Sequence, residues 1–219
     1  MLRMIMFRYL FSKKEKTILF QFFVLLFLVT GCEDTKTLFN IKTPKETGID
    51  FSNKLILSDE LTVLEFEYMY NGAGVAVADF DLDGLMDIYF TANMSSNKLY
   101  RNLGNWKFED ITLQSKSNST HWSNGVAIID INQDTYPDIY VSRGGPRNSK
   151  SEERANLLFI NNGSKGQGLT FTESAAEWGL DDDGYSVQAA FFDYDMDGDL
   201  DMYLLSNALV DFNRNTSRP

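Results

Sequence analysis

One cysteine, one histidine and four prolines narrow the possibilities before any motif is read. A lone cysteine cannot close an internal disulfide, so the fold must rest on its core and not on cross-links. A lone histidine, His121 beside Trp122, leaves no His-based metal triad or acid/base relay, and a structural role is the expectation for it. Low proline and glycine content, set against 43% hydrophobic and 14% aromatic residues, excludes low-complexity disorder and supplies a core. Positive charge is also scarce: 20 Lys and Arg face 31 Asp and Glu, for a formal net charge of −11. Nucleic-acid binding, which rests on basic side chains neutralising phosphates, is excluded as an expectation.

No apolar run reaches the roughly 20 residues that a membrane-spanning helix needs. The longest, Ile18 to Val29, follows Arg3, Arg8, Lys13, Lys14 and Lys16, and this order suits the apolar stretch of a secretory signal. The run closes on Val29-Thr30-Gly31-Cys32, which is similar to a bacterial lipobox. That resemblance implies a helical lipoprotein signal peptide over 1–31, lipidation of Cys32 and a polar tether over 32–46. It also implies an exported chain held in the cell envelope as an outer-membrane lipoprotein. The other reading is an incidental cysteine after an uncleaved anchor. Removing 1–31 takes away five basic residues and one acid, which moves the formal charge from −11 to −15.

What the chain has in abundance is aspartate at fixed spacing. Three copies run Asp79-Phe80-Asp81-Leu82-Asp83-Gly84-Leu85-Met86-Asp87, Asp130-Ile131-Asn132-Gln133-Asp134-Thr135-Tyr136-Pro137-Asp138 and Asp193-Tyr194-Asp195-Met196-Asp197-Gly198-Asp199-Leu200-Asp201. Side-chain oxygens stand at positions 1, 3, 5 and 9, and the backbone carbonyl of Leu85, Tyr136 or Asp199 is available at position 7. A hard cation taking about six to eight oxygens is satisfied by such a set, and calcium fits best. Without a cation, carboxylates crowded this closely would repel one another. An EF-hand would place a bidentate Glu at position 12 between helices; here position 12 is Phe90, Val141 or Leu204.

Each ladder is entered from an apolar run (Val75-Ala76-Val77-Ala78, Val126-Ala127-Ile128-Ile129, Ala189-Ala190-Phe191-Phe192) and left through Asp87-Ile88-Tyr89-Phe90, Asp138-Ile139-Tyr140-Val141 or Asp201-Met202-Tyr203-Leu204. Short β-branched and aromatic runs bounded by turn chemistry read as strands, so each ladder reads as a hairpin loop. Asn97 to Gly104 aligns with Asn156 to Gly163, and Phe108-Glu109-Asp110-Ile111-Thr112 with Phe171-Thr172-Glu173-Ser174-Ala175, adding two more strands per copy. A period of about 50 to 60 residues holding four short strands is the mark of a β-propeller blade. Tyr89, Tyr140 and Tyr203 fall at one strand position and are expected in blade core.

The frame Gly-Val-Ala-x-x-Asp, ladder, Asp-Ile-Tyr, Asn-x-Leu-Tyr-x-Asn-x-Gly and Phe-x-Asp-Ile-Thr resembles the FG-GAP and VCBS repeats of integrin-α-like propellers. Within these it is most similar to the cartilage acidic protein and UnbV-related group of bacteria. The resemblance implies an all-β fold, an incomplete β-propeller of about 2.5 four-stranded blades where closed propellers have about four to eight. Its blades would span 47–122 and 123–186, with the start of a third over 187–219. It also implies Ca2+ as the cofactor, held by Asp79, Asp81, Asp83 and Asp87 and by Asp193, Asp195, Asp197 and Asp201. Copy two departs from the pattern, because Asn132 replaces an acid and Thr135 replaces the glycine of a left-handed turn. Loop two is therefore expected to bind more weakly than loops one and three.

Away from the ladders, Asp181-Asp182-Asp183-Gly184 reads as a solvated turn and 143–154 as a surface insertion. The function expected is that of a non-catalytic binding or adhesion module for an unknown protein or glycan ligand, with the membrane reached through the lipid anchor and no nucleic acid as partner. The alternatives are an extracellular polysaccharide-processing enzyme, which would need an acid/base pair outside the ladders, and a subunit of an outer-membrane nutrient-uptake complex.

Overall fold

The computed structural model describes residues 14, 17, 21, 38–59, 61–63, 66–163 and 168–207. The chain divides into two compact units, Met1–Ile41 and Lys42–Pro219. In the first, Lys14, Thr17 and Gln21 are helical, and among the described residues no helix is long and apolar enough to cross a membrane. Most of the signal segment, the lipobox and Cys32 lie outside the described residues.

The second unit is all-β and propeller-like. Strands β1 (Val75–Ala78), β2 (Asp87–Phe90), β3 (Lys98–Asn102) and β4 (Phe108–Asp110) form an antiparallel sheet in chain order. The pattern repeats in β5 (Ser123–Ile129), β6 (Asp138–Arg143), β7 (Leu157–Asn161) and β8 (Phe171–Glu173). A hairpin of β9 (Ser186–Phe192) and β10 (Asp201–Ser206) opens a third copy. The fourth strand of each full sheet stops earlier than its sequence suggests. Helical turns follow it, Thr112–Ser115 (α2) in the first sheet and Ala175–Trp178 (α4) in the second. Two other short helices are Pro44–Thr47 (α1), before β1, and Ser151–Arg154 (α3), within the insertion between β6 and β7.

Alternation along each strand sends side chains to two neighbouring sheets. Ile139 and Val141 of β6 join Phe80, Tyr89 and Leu99 of the first sheet, while Tyr140 joins Ala189 of β9 from the other face. Burial on both faces is why every residue of β6 is buried, the polar Asp138, Ser142 and Arg143 included. Phe80 and Phe171 meet edge to face across the first seam, their ring centroids 5.8 Å apart.

A buried polar lock crosses each seam. Asn97, just before β3, donates through Nδ2 to the Tyr89 hydroxyl and to Ser123 Oγ, both at 3.2 Å, and its Oδ1 accepts the Ala92 N–H at 2.8 Å. Asn156 repeats this one sheet later, donating to the Tyr140 hydroxyl at 2.9 Å and to Ser186 Oγ at 3.0 Å. Tyr89 and Tyr140 are fully buried, whereas Tyr203 is 64% exposed. Among the described residues β9 and β10 have no third strand beside them, so nothing covers that ring.

The segment ahead of β1 folds over the first sheet. A Thr43 capping box starts α1, and Phe51 then stacks on Phe90 at 4.6 Å. Asn53 pairs with Asn93, and Phe66 and Met69 bury against Trp122. None of these contacts is announced by periodicity.

Candidate metal centre

All three ladders sit at the same end of the fold, joining the first two strands of each sheet. The first carboxylate organises each loop by accepting two successive backbone N–H groups, one on each oxygen. Asp79 accepts from Asp83 and Gly84 at 3.0 and 2.8 Å, Asp130 from Asp134 and Thr135 at 2.9 and 2.8 Å, and Asp193 from Asp197 and Gly198 at 3.2 and 3.1 Å. Position 5 then accepts the N–H of position 7: Leu85, Tyr136 and Asp199 donate to Asp83, Asp134 and Asp197. These bonds coil the backbone through left-handed conformations at positions 4 and 6.

Position 9 works differently. One oxygen of Asp87 accepts from Phe80 at 3.2 Å and the other from Asn102 of β3 at 2.8 Å. Asp138 accepts from Ile131 at 3.0 Å and from Asn161 of β7 at 2.7 Å, and Asp201 accepts from Tyr194 at 2.8 Å. In the two full sheets the ninth residue thus ties the loop to the third strand. Both asparagines reach back as well: Asn102 donates to the Met86 carbonyl and Asn161 to the Pro137 carbonyl. The sequence repeat aligned these two asparagines without assigning them a task.

Carboxylate oxygens of Asp79, Asp81 and Asp87 lie within 4.8 Å of one another, as do those of Asp193, Asp195 and Asp197. The first triad leaves out Asp83, and the second leaves out Asp199 and Asp201. Asp81 Oδ1 is buried without a hydrogen-bond partner, an orphaned acceptor of the kind that a cation satisfies. Burial, then the charge of Asp83, raises the Asp81 pKa. Burial pushes Asp87 and Asp138 up to about 6 despite the N–H groups they accept, and the bond and charge of neighbouring Asp197 raise Asp199. Crowded acids held above their ordinary range by burial and like charge fit a hard divalent cation, whose charge would reverse both effects. Each bonded oxygen keeps a second lone pair for such a ligand.

Loop two has the same backbone but a different chemistry. Asn132 donates through Nδ2 to Asp134 Oδ2 at 3.0 Å, so its amide turns a hydrogen toward a carboxylate that in loops one and three faces another acid. Thr135 holds a left-handed φ of 76° where Gly84 and Gly198 have 90° and 95°.

An FG-GAP-like repeat is matched at residues 79–141, from the first ladder through to Val141 beyond the second. No curated protein matches the chain.

Proposed function

From a chain that carries an FG-GAP-like repeat on a propeller-like scaffold, we propose a calcium-stabilised binding module of the cell envelope, related to the cartilage acidic protein and UnbV group. The observation that carries this reading is the orphaned, buried Asp81 Oδ1 inside a triad of carboxylates. Asp79, Asp81, Asp83 and Asp87 with the Leu85 carbonyl would hold one ion. Asp193, Asp195, Asp197 and Asp201 with the Asp199 carbonyl would hold another. Bound calcium supplies counter-charge that no side chain in the loops provides. Asp79 fixes the loop by its two N–H bonds, and Asp87 keeps one oxygen on Asn102 of β3, so the loop, the first hairpin and the third strand are held as one piece. Rigid sheets then present the connections at their far ends for recognition of a protein or glycan.

A scaffold reading is favoured over the enzymatic one because the carboxyl groups pushed up to about 6, Asp87 and Asp138, belong to the ladders and hold strands. An adhesion role and a place in a nutrient-uptake complex share this scaffold, and capture of envelope partners separates them. Attachment would come through lipid on Cys32, so Cys32→Ser should release the chain from the membrane fraction.

The metal reading is tested by thermal melting of the purified chain in calcium and in excess chelator. Ligands that bind only the folded state raise its stability by mass action, by about 2.7 kcal/mol at a hundredfold excess over Kd. Calcium should raise Tm; Asp83→Ala and Asp197→Ala should each lower calcium affinity more than Asp134→Ala does. Equal melting temperatures in calcium and chelator would sink the proposal.

A further inference from the structure

The acidic ladders leave unused a cleft where positive charge collects. It is an open cleft of about 360 Å³ between the 116–121 connection and the second sheet, bordered by Lys116, Ser119, Thr120, His121, Arg143 and Glu173. Arg143, the last residue of β6, is only 4% exposed. One of its terminal nitrogens donates to the Glu153 carbonyl, but Nε is buried with no partner. Arg143 takes part in neither of the ion pairs Lys98–Asp110 and Arg101–Glu109. The two acids that act on it from a distance are committed elsewhere. Glu173 accepts the N–H groups of Leu158 and Ala175, and Glu153 accepts that of Lys150. Ser119, on the same cleft, also has a buried hydroxyl without a partner.

A buried guanidinium with no carboxylate in direct contact is costly, and two orphaned donors on one cleft add to the cost. Ordered water could satisfy the hydrogen bonds but would add nothing to the partial compensation that Glu173 and Glu153 give from a distance. We propose that this cleft binds one small oxyanion, a sulfate or carboxylate group, which accepts from Arg143 Nε–H and the Ser119 hydroxyl while the exposed Lys116 favours its entry. The net negative charge of the chain does not forbid this, because charges more than about 10 Å away are screened at ordinary ionic strength. The site is independent of the ladders, and its occupant would be either a free anion or an acidic group on a larger ligand.

The test is isothermal titration of the purified full chain with sodium sulfate and, separately, sodium acetate, at fixed ionic strength and fixed calcium. Saturable binding at one site is expected. Lys116→Ala removes an exposed cation and should weaken it by about threefold. Glu173→Gln keeps an acceptor for Leu158 and Ala175 yet deletes the opposing charge, and should tighten binding by a similar factor of about three. Arg143→Gln should abolish it, with a melting curve in the absence of anion checking that the variant folds; Lys116→Ala and Glu173→Gln decide the matter if it does not. Binding of sulfate alone would assign the site to tetrahedral anions, and binding of acetate as well would assign it to carboxylates of peptides or sugars. No saturable binding, or binding that Lys116→Ala and Glu173→Gln leave unchanged, would overturn the proposal.

Discussion

Thr135 sits with a β-branched side chain on a backbone turned to φ 76°, a region that such residues avoid because Cβ crowds the carbonyl oxygen. The two N–H bonds to Asp130 hold it there. Thr135→Gly should therefore raise the unfolding midpoint, by about 1 kcal/mol after the greater freedom of an unfolded glycine is subtracted, and Gly84→Thr should lower it by a similar amount. An unchanged midpoint in urea for both would show that the turn tolerates either residue. Position 6 was legible in the sequence because glycine recurs there. Position 4 was not: Leu82, Gln133 and Met196 share φ values of 59°, 57° and 61°, yet no residue type marks them, since the turn is imposed by the first aspartate. Asp87 and Asp138 give a second test at this scale. Their folded pKa of about 6 lies above the ordinary 3.8, so the folded state binds protons more tightly, and their contribution to stability is greatest at low pH and lost as pH rises from about 4 through 6. In chelator, Asp87→Asn should remove part of that loss, so that the variant gains on the parent between pH 4 and pH 7. Urea midpoints taken across that range would refute this if the difference stayed constant.

Strands and hairpins were legible because short β-branched and aromatic runs and the aspartate ladders between them are local signals; contacts between sheets were not, because they join residues far apart in sequence. Asn97 and Asn156 stood out only as aligned letters, although each gathers a tyrosine hydroxyl and the serine that opens the next sheet. The stretch from Asp50 to Gly74 offered no period at all, since its order comes from single anchors such as Phe51 on Phe90 and Phe66 against Trp122. Close approach of neighbouring first strands is another such contact. A Cβ on Gly125 would lie 1.9 Å from Gln188 Oε1 and 2.4 Å from the Val187 carbonyl oxygen, while Gln188 itself donates to the Val126 carbonyl across the seam. Gly125→Ala should destabilise by about 1–3 kcal/mol through this overpacking. Gln188→Ala in the same chain should not rescue it, because the backbone oxygen remains in the way. Full recovery in the double variant, read from denaturant midpoints, would show that the side chain alone makes the contact.

Across the whole molecule the packing rule is that each sheet is covered by the next, and the described part of the third copy shows what happens where cover is missing. Ile129 and Tyr140 of the second sheet are buried, but the residues at the same repeat positions, Phe192 and Tyr203, are 44% and 64% exposed, and Leu205 beside them is 50% exposed. The repeat spacing made the sheets themselves legible, since the ladder, its flanking strands and the two later strands recur in both full copies. It could not say which faces stay open, because that depends on neighbours and not on the frame. Apolar faces of this kind, next to unpaired strand edges, favour association between chains. A preparation of residues 33–219 in calcium should accordingly scatter light as oligomers whose size grows with concentration, and the formal charge of −15 left once residues 1–31 are removed is too diffuse to prevent it once salt screens the surface. Replacing both Tyr203 and Leu205 by threonine keeps strand propensity while removing apolar area, and should shift the preparation toward monomer without lowering the melting temperature. A monodisperse monomer at every concentration, indifferent to these substitutions, would mean that the hairpin face is covered within the chain itself.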